Sequence, residues 1–339
     1  MSSRALESSV RKSNSLCVAV GITRAISQAE GDIQRKEKVQ RKQKRRVGRG
    51  GRLKDKLISP LTQTRYTVAV RVMLGFWSCM GLKPEGLEAM DDACASFVEA
   101  CWAEGDSITL VCQALAGLQW LVPKVRHKIP YAWSLAKAWA KAEPPNRATP
   151  FSPSIVLGLA GLCFEVGMIS MAALLLVGFD GFLRSGELFS MKVGDISFRR
   201  KMAIIKLAVT KGGQRRGLME VIVITSSLAV KMLRLACKGK SRDDLVADGN
   251  GYYLRNLLRS LISSVGLPAA RYSWYSLRRG GATAYFLRTG SMEKTLLRGR
   301  WMSTSIARLY IQDAVALANE LMLSDASVRV LRGFALKLQ

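Results

Sequence analysis

Histidine is almost absent from this chain: among 339 residues there is one, His127. That removes HExxH zinc chemistry and confines any Ser-His-Asp site to the surroundings of a single residue. Seven cysteines, at positions 17, 79, 94, 101, 112, 163 and 237, form no CxxC pair. An odd, scattered set of this kind is expected as reduced core thiols of an intracellular protein, not as a disulfide framework or a zinc site. Long apolar runs are also lacking. The most apolar stretch, positions 166–179, falls short of the ~20 residues a membrane helix needs. The opening MSSRALESSV has no apolar segment of the secretory kind, and no basic amphipathic helix long enough for a membrane surface is evident. Acidic residues are scarce, 25 against 52 Lys and Arg, which leaves a formal net charge of +27. Such a charge opposes self-association and attracts polyanions, of which nucleic acid is the commonest for a protein this basic. No RRM, KH or zinc-knuckle signature points to an RNA-binding module, so a plain basic RNA-binding protein is the more distant reading.

What is present divides the chain. Hydrophobic residues make up 49%, enough for sizeable cores in two domains of ordinary size and a tail. Positions 1–57 read as a basic, disordered arm. Twelve Lys or Arg fall within positions 35–56, and GRGGR at 48–52 discourages helix. The cluster Arg41, Lys42, Arg45 and Arg46 would bind phosphates without regard to sequence and could serve as a nuclear import signal; a plain solvated tail is the other reading. Positions 58–148 place apolar residues at helical spacing between Gly and Pro punctuation, which predicts an all-α domain of about four helices. Its Trp77, Trp102 and Trp120 could stack on bases, but at helical spacing they are expected in the core. KAEPPNRATPFSP at 141–153 holds four of the nine prolines and sets the boundary near 148. From 149 to 339 the pattern predicts helices over 154–176, 226–238 and 252–265, and short strands over 195–198, 203–209 and 220–224. The fold class expected is mainly α with a small antiparallel β-sheet.

One stretch, YSLRRGGATAYFLRTGSMEKTLLRGRWMSTSIARLY at 275–310, carries the chemistry. A turn with paired arginines, Arg278 and Arg279, stands 32 residues before Tyr310, and Trp301 stands nine before it. A phosphodiester repels nucleophiles, so a site that cleaves one without metal needs permanently charged guanidinium groups on its non-bridging oxygens. A phenol can then attack and store the bond as a phosphotyrosine ester.

LRRGGAT, GRW and ARLYI in this order resemble the C-terminal half of the catalytic domain of tyrosine recombinases (phage integrases), in flavour the eukaryotic mobile-element versions of the DIRS and crypton kind. Upstream, LVGFDGFLRSGELFSMKVGDISF at 176–198 resembles the first-arginine box, with Arg184 as the arginine and Glu187 as its supporting acid. TKGG at 210–213 resembles the lysine box, with Lys211, 27 residues after Arg184. The resemblance covers roughly 150–325. It implies a tyrosine recombinase catalytic-domain fold preceded by a helical, SAM-like core-binding domain. It further implies cleavage and rejoining of double-stranded DNA through a 3′-phosphotyrosine, with no cofactor and no metal. Arg184 and Arg278 would bind the scissile phosphate, and Tyr275 and Trp301 would add hydrogen bonds. Tyr310 would attack, and Lys211 would protonate the departing 5′ oxygen. Arg215, Arg216 and Arg279 would add DNA contacts, although TKGGQRRG also reads as a solvated hairpin. Four protomers on paired sites are implied, with a terminal helix at 314–338 docked on a neighbour or packed on its own domain. The implied location is the nucleus, or the cytoplasm and nucleoid outside eukaryotes. Two positions depart from the commonest pattern: Tyr275 stands where a histidine is usual, and Trp301 replaces a frequent histidine, as it does in some active members. A domesticated element protein that binds DNA without cutting it, and a type IB topoisomerase, are the rival readings.

Overall fold

The computed structural model describes residues 57–145, 147–207, 220–311 and 321–338, which fall into two compact units divided between Arg147 and Ala148. The basic cluster at 41–46, Lys211, Arg215 and Arg216 lie outside the described residues.

The first unit is a bundle of four helices, α1 (Pro60–Cys79), α2 (Leu87–Ala103), α3 (Ile108–Leu121) and α4 (Pro130–Ala142). Each start has a local or borrowed reason. Ser59 caps α1 through Thr62 N, with Pro60 in the first turn where its missing N–H costs nothing, and Ser107 caps α3 through Thr109 N. At α4 the preceding residue, Ile129, has no side chain to offer. Buried Asp91 of α2 accepts from Tyr131 N and Ala132 N instead, both at 2.9 Å, so one carboxylate caps a helix forty residues away. Met73, Trp77, Cys94, Phe97, Leu115 and Ile129 fill the core between them. Trp77 donates its indole N–H to Ala93 O at 2.9 Å. Trp102 differs from its expected core position: it is 41% exposed, resting edge-on against Trp139. His127 is an exposed turn residue.

The second unit is built around α5 (Pro153–Glu165) and α6 (Ile169–Asp180), which are apolar on nearly every side and accordingly buried. After α6 come α7 (Ser185–Phe189) and a three-stranded antiparallel sheet. Its strands β1 (Ile196–Phe198), β2 (Ala203–Leu207) and β3 (Glu220–Ile224) lie in that order, with Ile196 opposite Ile205 and Ile205 opposite Ile222. Strand alternation turns Ile222 and Ile224 into the core and leaves Val221 and Val223 outside. Helices α8 (Ser227–Cys237), α9 (Gly251–Ser264), α10 (Trp274–Thr289), α11 (Met292–Gly299), α12 (Thr304–Arg308) and α13 (Asp325–Leu336) complete the described unit. Helix α13 packs on its own domain, against α5. The contact is close because two residues of α5 are glycines. A Cβ at Gly158 would lie 2.5 Å from Leu331 Cδ2, and one at Gly161 2.0 Å from Phe334 O.

The paired arginines do not form a turn. They lie inside the sixteen-residue helix α10, capped at Ser273 and closed by Gly290 in the left-handed conformation. Gly280 and Gly281 serve packing: added Cβ atoms would meet Phe151 O at 1.9 Å and Phe179 O at 2.0 Å. The helix therefore presses onto the backbone before α5 and at the end of α6, carrying both arginines into the interior.

Candidate active site

Four of the expected residues, Arg278, Trp301, Tyr310 and Tyr275, meet directly, and Arg184 with Glu187 stands beside them. The wall they share is a small apolar cluster of Phe182, Ala282, Trp301 and Ala307, with Tyr285 and Tyr310 packed against it.

Arg278 is fully buried. Its Nη1 donates to Phe182 O, and its Nη2 donates to Gly299 O at 2.8 Å. The Trp301 and Tyr310 rings lie over the guanidinium, 4.8 and 5.2 Å from its carbon. Two of these contacts depend on unusual backbone. Phe182 adopts a positive φ of 48°, which aims its carbonyl inward, and Gly299 lacks the Cβ that would strike the Trp301 ring at 2.2 Å. Burial first, then the charges of Arg184 and Arg300, push the Arg278 guanidinium down to about 10. Its Nε remains buried without a hydrogen-bond partner, as does the indole Nε1 of Trp301.

Arg184 occupies the cap position before α7. Its backbone N–H donates to Glu187 Oε2 at 2.9 Å, and its Nη1 meets Oε1 at 2.7 Å. The acid thus caps the helix and orients the arginine in one geometry. Glu187 is nearly inaccessible and also receives Arg300 Nη2 at 2.8 Å.

Tyr275, one turn before Arg278 on α10, donates its hydroxyl hydrogen to the hydroxyl of Tyr310. Its expected role was a hydrogen bond to the scissile phosphate; the structure sets its hydroxyl against that of Tyr310. For Tyr310, burial acts to raise the pKa. The Tyr275 hydrogen bond and the Arg278 and Arg184 charges outweigh it and hold the phenol below its ordinary value. Tyr275 moves the other way, to about 12, through burial and then its bond to Tyr310, so it stays protonated and able to donate. The Tyr310 carbonyl accepts from Thr283 Oγ1 at 3.3 Å, which ties the tyrosine to α10 a second time.

Arg279 corrects an expectation. It is 1% exposed, sunk by the same glycine contacts that bury its neighbour, and offers no surface to a DNA backbone. Conversely, sequence reasoning passed over Arg300 and Glu220. Arg300 pairs with both Glu187 and Glu220, the latter at 3.4 Å, and holds a positive φ of 57°. Its only visible signal was its place inside GRW. Asp180 was missed as well: it accepts from Thr225 N at 2.8 Å and pairs with Arg298 at 2.9 Å, joining α6, the start of α8 and α11. No cluster of three or more His, Cys, Asp or Glu able to hold a metal occurs among the described residues, and no described helix is long and apolar enough to cross a membrane.

No family model matches the chain, and no curated protein matches it. Solved structures do. A lambda integrase dimer bound to a COC′ core site superposes with a TM-score of 0.52 at 16% identity, over 83% of this chain and 76% of that one. The Tn1549 transposon integrase in complex with transposon right-end DNA gives 0.56 at 10% identity, over 78% and 95%. The protein is therefore mainly α with a small antiparallel sheet, and its fold is that of the tyrosine recombinase catalytic domain preceded by a helical domain. The solved structures it resembles are tyrosine recombinases.

Proposed function

We propose that this chain is a site-specific DNA recombinase or integrase that cuts and rejoins double-stranded DNA through a 3′-phosphotyrosine at Tyr310, as a mobile-element enzyme of the DIRS and crypton kind. The observation that carries the reading is the convergence on one site of Arg278, Trp301, Tyr310 and Arg184 with Glu187, residues separated by up to 126 positions in sequence. Arg184 and Arg278 hold the two non-bridging oxygens of the scissile phosphate, and the unpartnered indole N–H of Trp301 supplies a further donor. Arg278 has no exposed surface and lies under the Trp301 and Tyr310 rings, so in this reading a ring must shift for a phosphate to reach it. The Tyr310 phenol gives its proton to water, its oxygen bonds to phosphorus, and the bond to the 5′ oxygen breaks. Lys211 returns a proton to that oxygen. Rejoining runs the same steps backwards, so the ester conserves the bond and neither metal nor nucleotide is consumed.

The four-helix unit serves as a core-binding domain on the DNA, the chain acts as a tetramer on paired sites, and the basic cluster at 41–46 directs it to the nucleus. The test is a suicide substrate, nicked near the candidate site so that cleavage cannot reverse, incubated with the wild type and with Tyr310→Phe. A denaturant-resistant adduct from the wild type alone is the expected result. No wild-type adduct, despite tight salt-dependent binding and a working control recombinase, would replace the proposal with a DNA binder that does not cut. Relaxation of supercoils without a partner site would instead indicate topoisomerase activity.

A further inference from the structure

Arg300 has features that a surface contact does not need. Its side chain is 9% exposed, and it pairs with two carboxylates that are as deeply buried: Glu187 at 2.8 Å and Glu220 at 3.4 Å. Its backbone sits at a φ of 57°, a region that β-carbon-bearing residues avoid and that glycine occupies freely. A glycine would relieve that strain, yet the position holds a long cation. Strained positions of this kind cluster at functional sites, where the surroundings hold them in place. Arg300 also stands between two residues of the site. Gly299 before it accepts from Arg278 Nη2, and Trp301 after it stacks on the same guanidinium.

We infer that Arg300 is a positioning residue of the strand-cleavage site, acting through Glu187 on Arg184 and linking both to Glu220 at the start of β3. This inference rests on the function proposed above. The geometry is that of a shared carboxylate: Glu187 Oε1 takes Arg184 Nη1, and Oε2 takes the Arg184 backbone N–H together with Arg300 Nη2. With both oxygens engaged, the carboxylate cannot rotate, and the Arg184 fork keeps one orientation. Glu220 anchors the far side of Arg300 and opens the strand that follows the lysine-box segment, so the same guanidinium ties the first-arginine box to the sheet edge. Three guanidiniums, Arg184, Arg278 and Arg300, here face two carboxylates, a local excess of positive charge suited to a phosphate. The charge of Arg300 is felt at Arg278, which places all three within one electrostatic site.

The test uses the full chain on the suicide substrate, with Arg300→Gly, Arg300→Lys, Glu187→Gln and the double variant Arg300→Gly/Glu187→Gln. Adduct rate, DNA affinity and melting temperature are measured for each. Arg300→Gly is expected to slow adduct formation about a hundredfold, in the range of losing one preorganised donor, while DNA affinity stays within threefold. Arg300→Lys, which restores one cation without the two-sided fork, is expected to recover about tenfold of that loss. In the double variant the two losses should fail to add, the rate staying within about twofold of Glu187→Gln alone, because both substitutions undo one unit. Additive losses in rate would overturn the inference, as would a rate loss that merely follows DNA affinity or melting temperature. If Arg300→Gly does not fold, the lysine variant and its own cycle with Glu187→Gln carry the same comparison. A wild type that forms no adduct would instead fail the recombinase reading, and this inference with it.

Discussion

At the scale of single residues the site is defined by what each polar group touches. Tyr275 stands where the resemblance leads one to expect a histidine, and its hydroxyl bonds to the Tyr310 hydroxyl. A donor on a phenol stabilises the phenolate more than the phenol, so this contact favours the phenolate of Tyr310, whose pKa is lowered. Tyr275→Phe should therefore raise the Tyr310 pKa and move the rise of adduct formation with pH to higher pH. The expected deficit is about three- to tenfold near pH 7, the scale of one net hydrogen bond, and it should shrink as pH approaches the phenol range. A pH-independent deficit would show that Tyr275 acts elsewhere than on the nucleophile. The buried, unpartnered indole N–H of Trp301 makes a second case. Trp301→Phe loses the donor and part of a buried ring that packs on Arg278, so it should lower the melting temperature modestly and slow adduct formation by about tenfold or more, beyond what the stability loss explains. A fall in melting temperature that accounts for the whole rate loss would assign the tryptophan to packing alone.

At the scale of elements, helix α10 is the part on which the site depends, and its glycines decide where it lies. Gly280→Ala puts a methyl 1.9 Å from Phe151 O, and neither backbone can yield without moving the other. The variant should lose about 2–3 kcal/mol of stability by overpacking. In a domain of this size that lowers the melting temperature by roughly 4–12 °C, and adduct formation should fall further as Arg278 shifts. Unchanged melting would mean that the contact is not so tight. In the helical unit the corresponding long-range device is Asp91, which caps α4 from α2. Asp91→Ala should cost that unit about 1–2 kcal/mol, the worth of an N-cap, read by denaturant titration of Trp fluorescence.

At the scale of the whole molecule, charge governs how the chain meets its partner. An excess of 27 positive charges gives affinity for any phosphate backbone, with a steep dependence on salt. Replacing Arg41, Lys42, Arg45 and Arg46 with glutamine should reduce the slope of log K against log salt by about 3–4 if all four neutralise phosphates on duplex DNA. It should leave cleavage of saturated substrate unchanged. An unaltered slope would exclude the arm from the DNA. The six cysteines among the described residues are free thiols, and burial pushes Cys94 and Cys101 up to about 12, so neither is a nucleophile at neutral pH.

Much of this architecture was readable along the chain. Helices α5 and α6, the strands and α8 and α9 lie where hydrophobic periodicity and turn residues place them, because those signals are local and each element obeys its own period. The order of Arg184, Arg278, Trp301 and Tyr310 was readable as well, since their identity and spacing survive in one dimension. Contacts were not. Arg279 reads like its neighbour Arg278, yet neither a surface nor a buried place is written in RRGG; the approach of Phe151 and Phe179 to two glycines settles it. Arg300 reads as one more cation in a basic chain until Glu187 and Glu220, 113 and 80 residues away, are brought to it. Tyr275 shows no partner until a helix and a following turn bring two hydroxyls together. Local chemistry fixes which residues are available, whereas burial and pairing depend on distances that chain order does not encode.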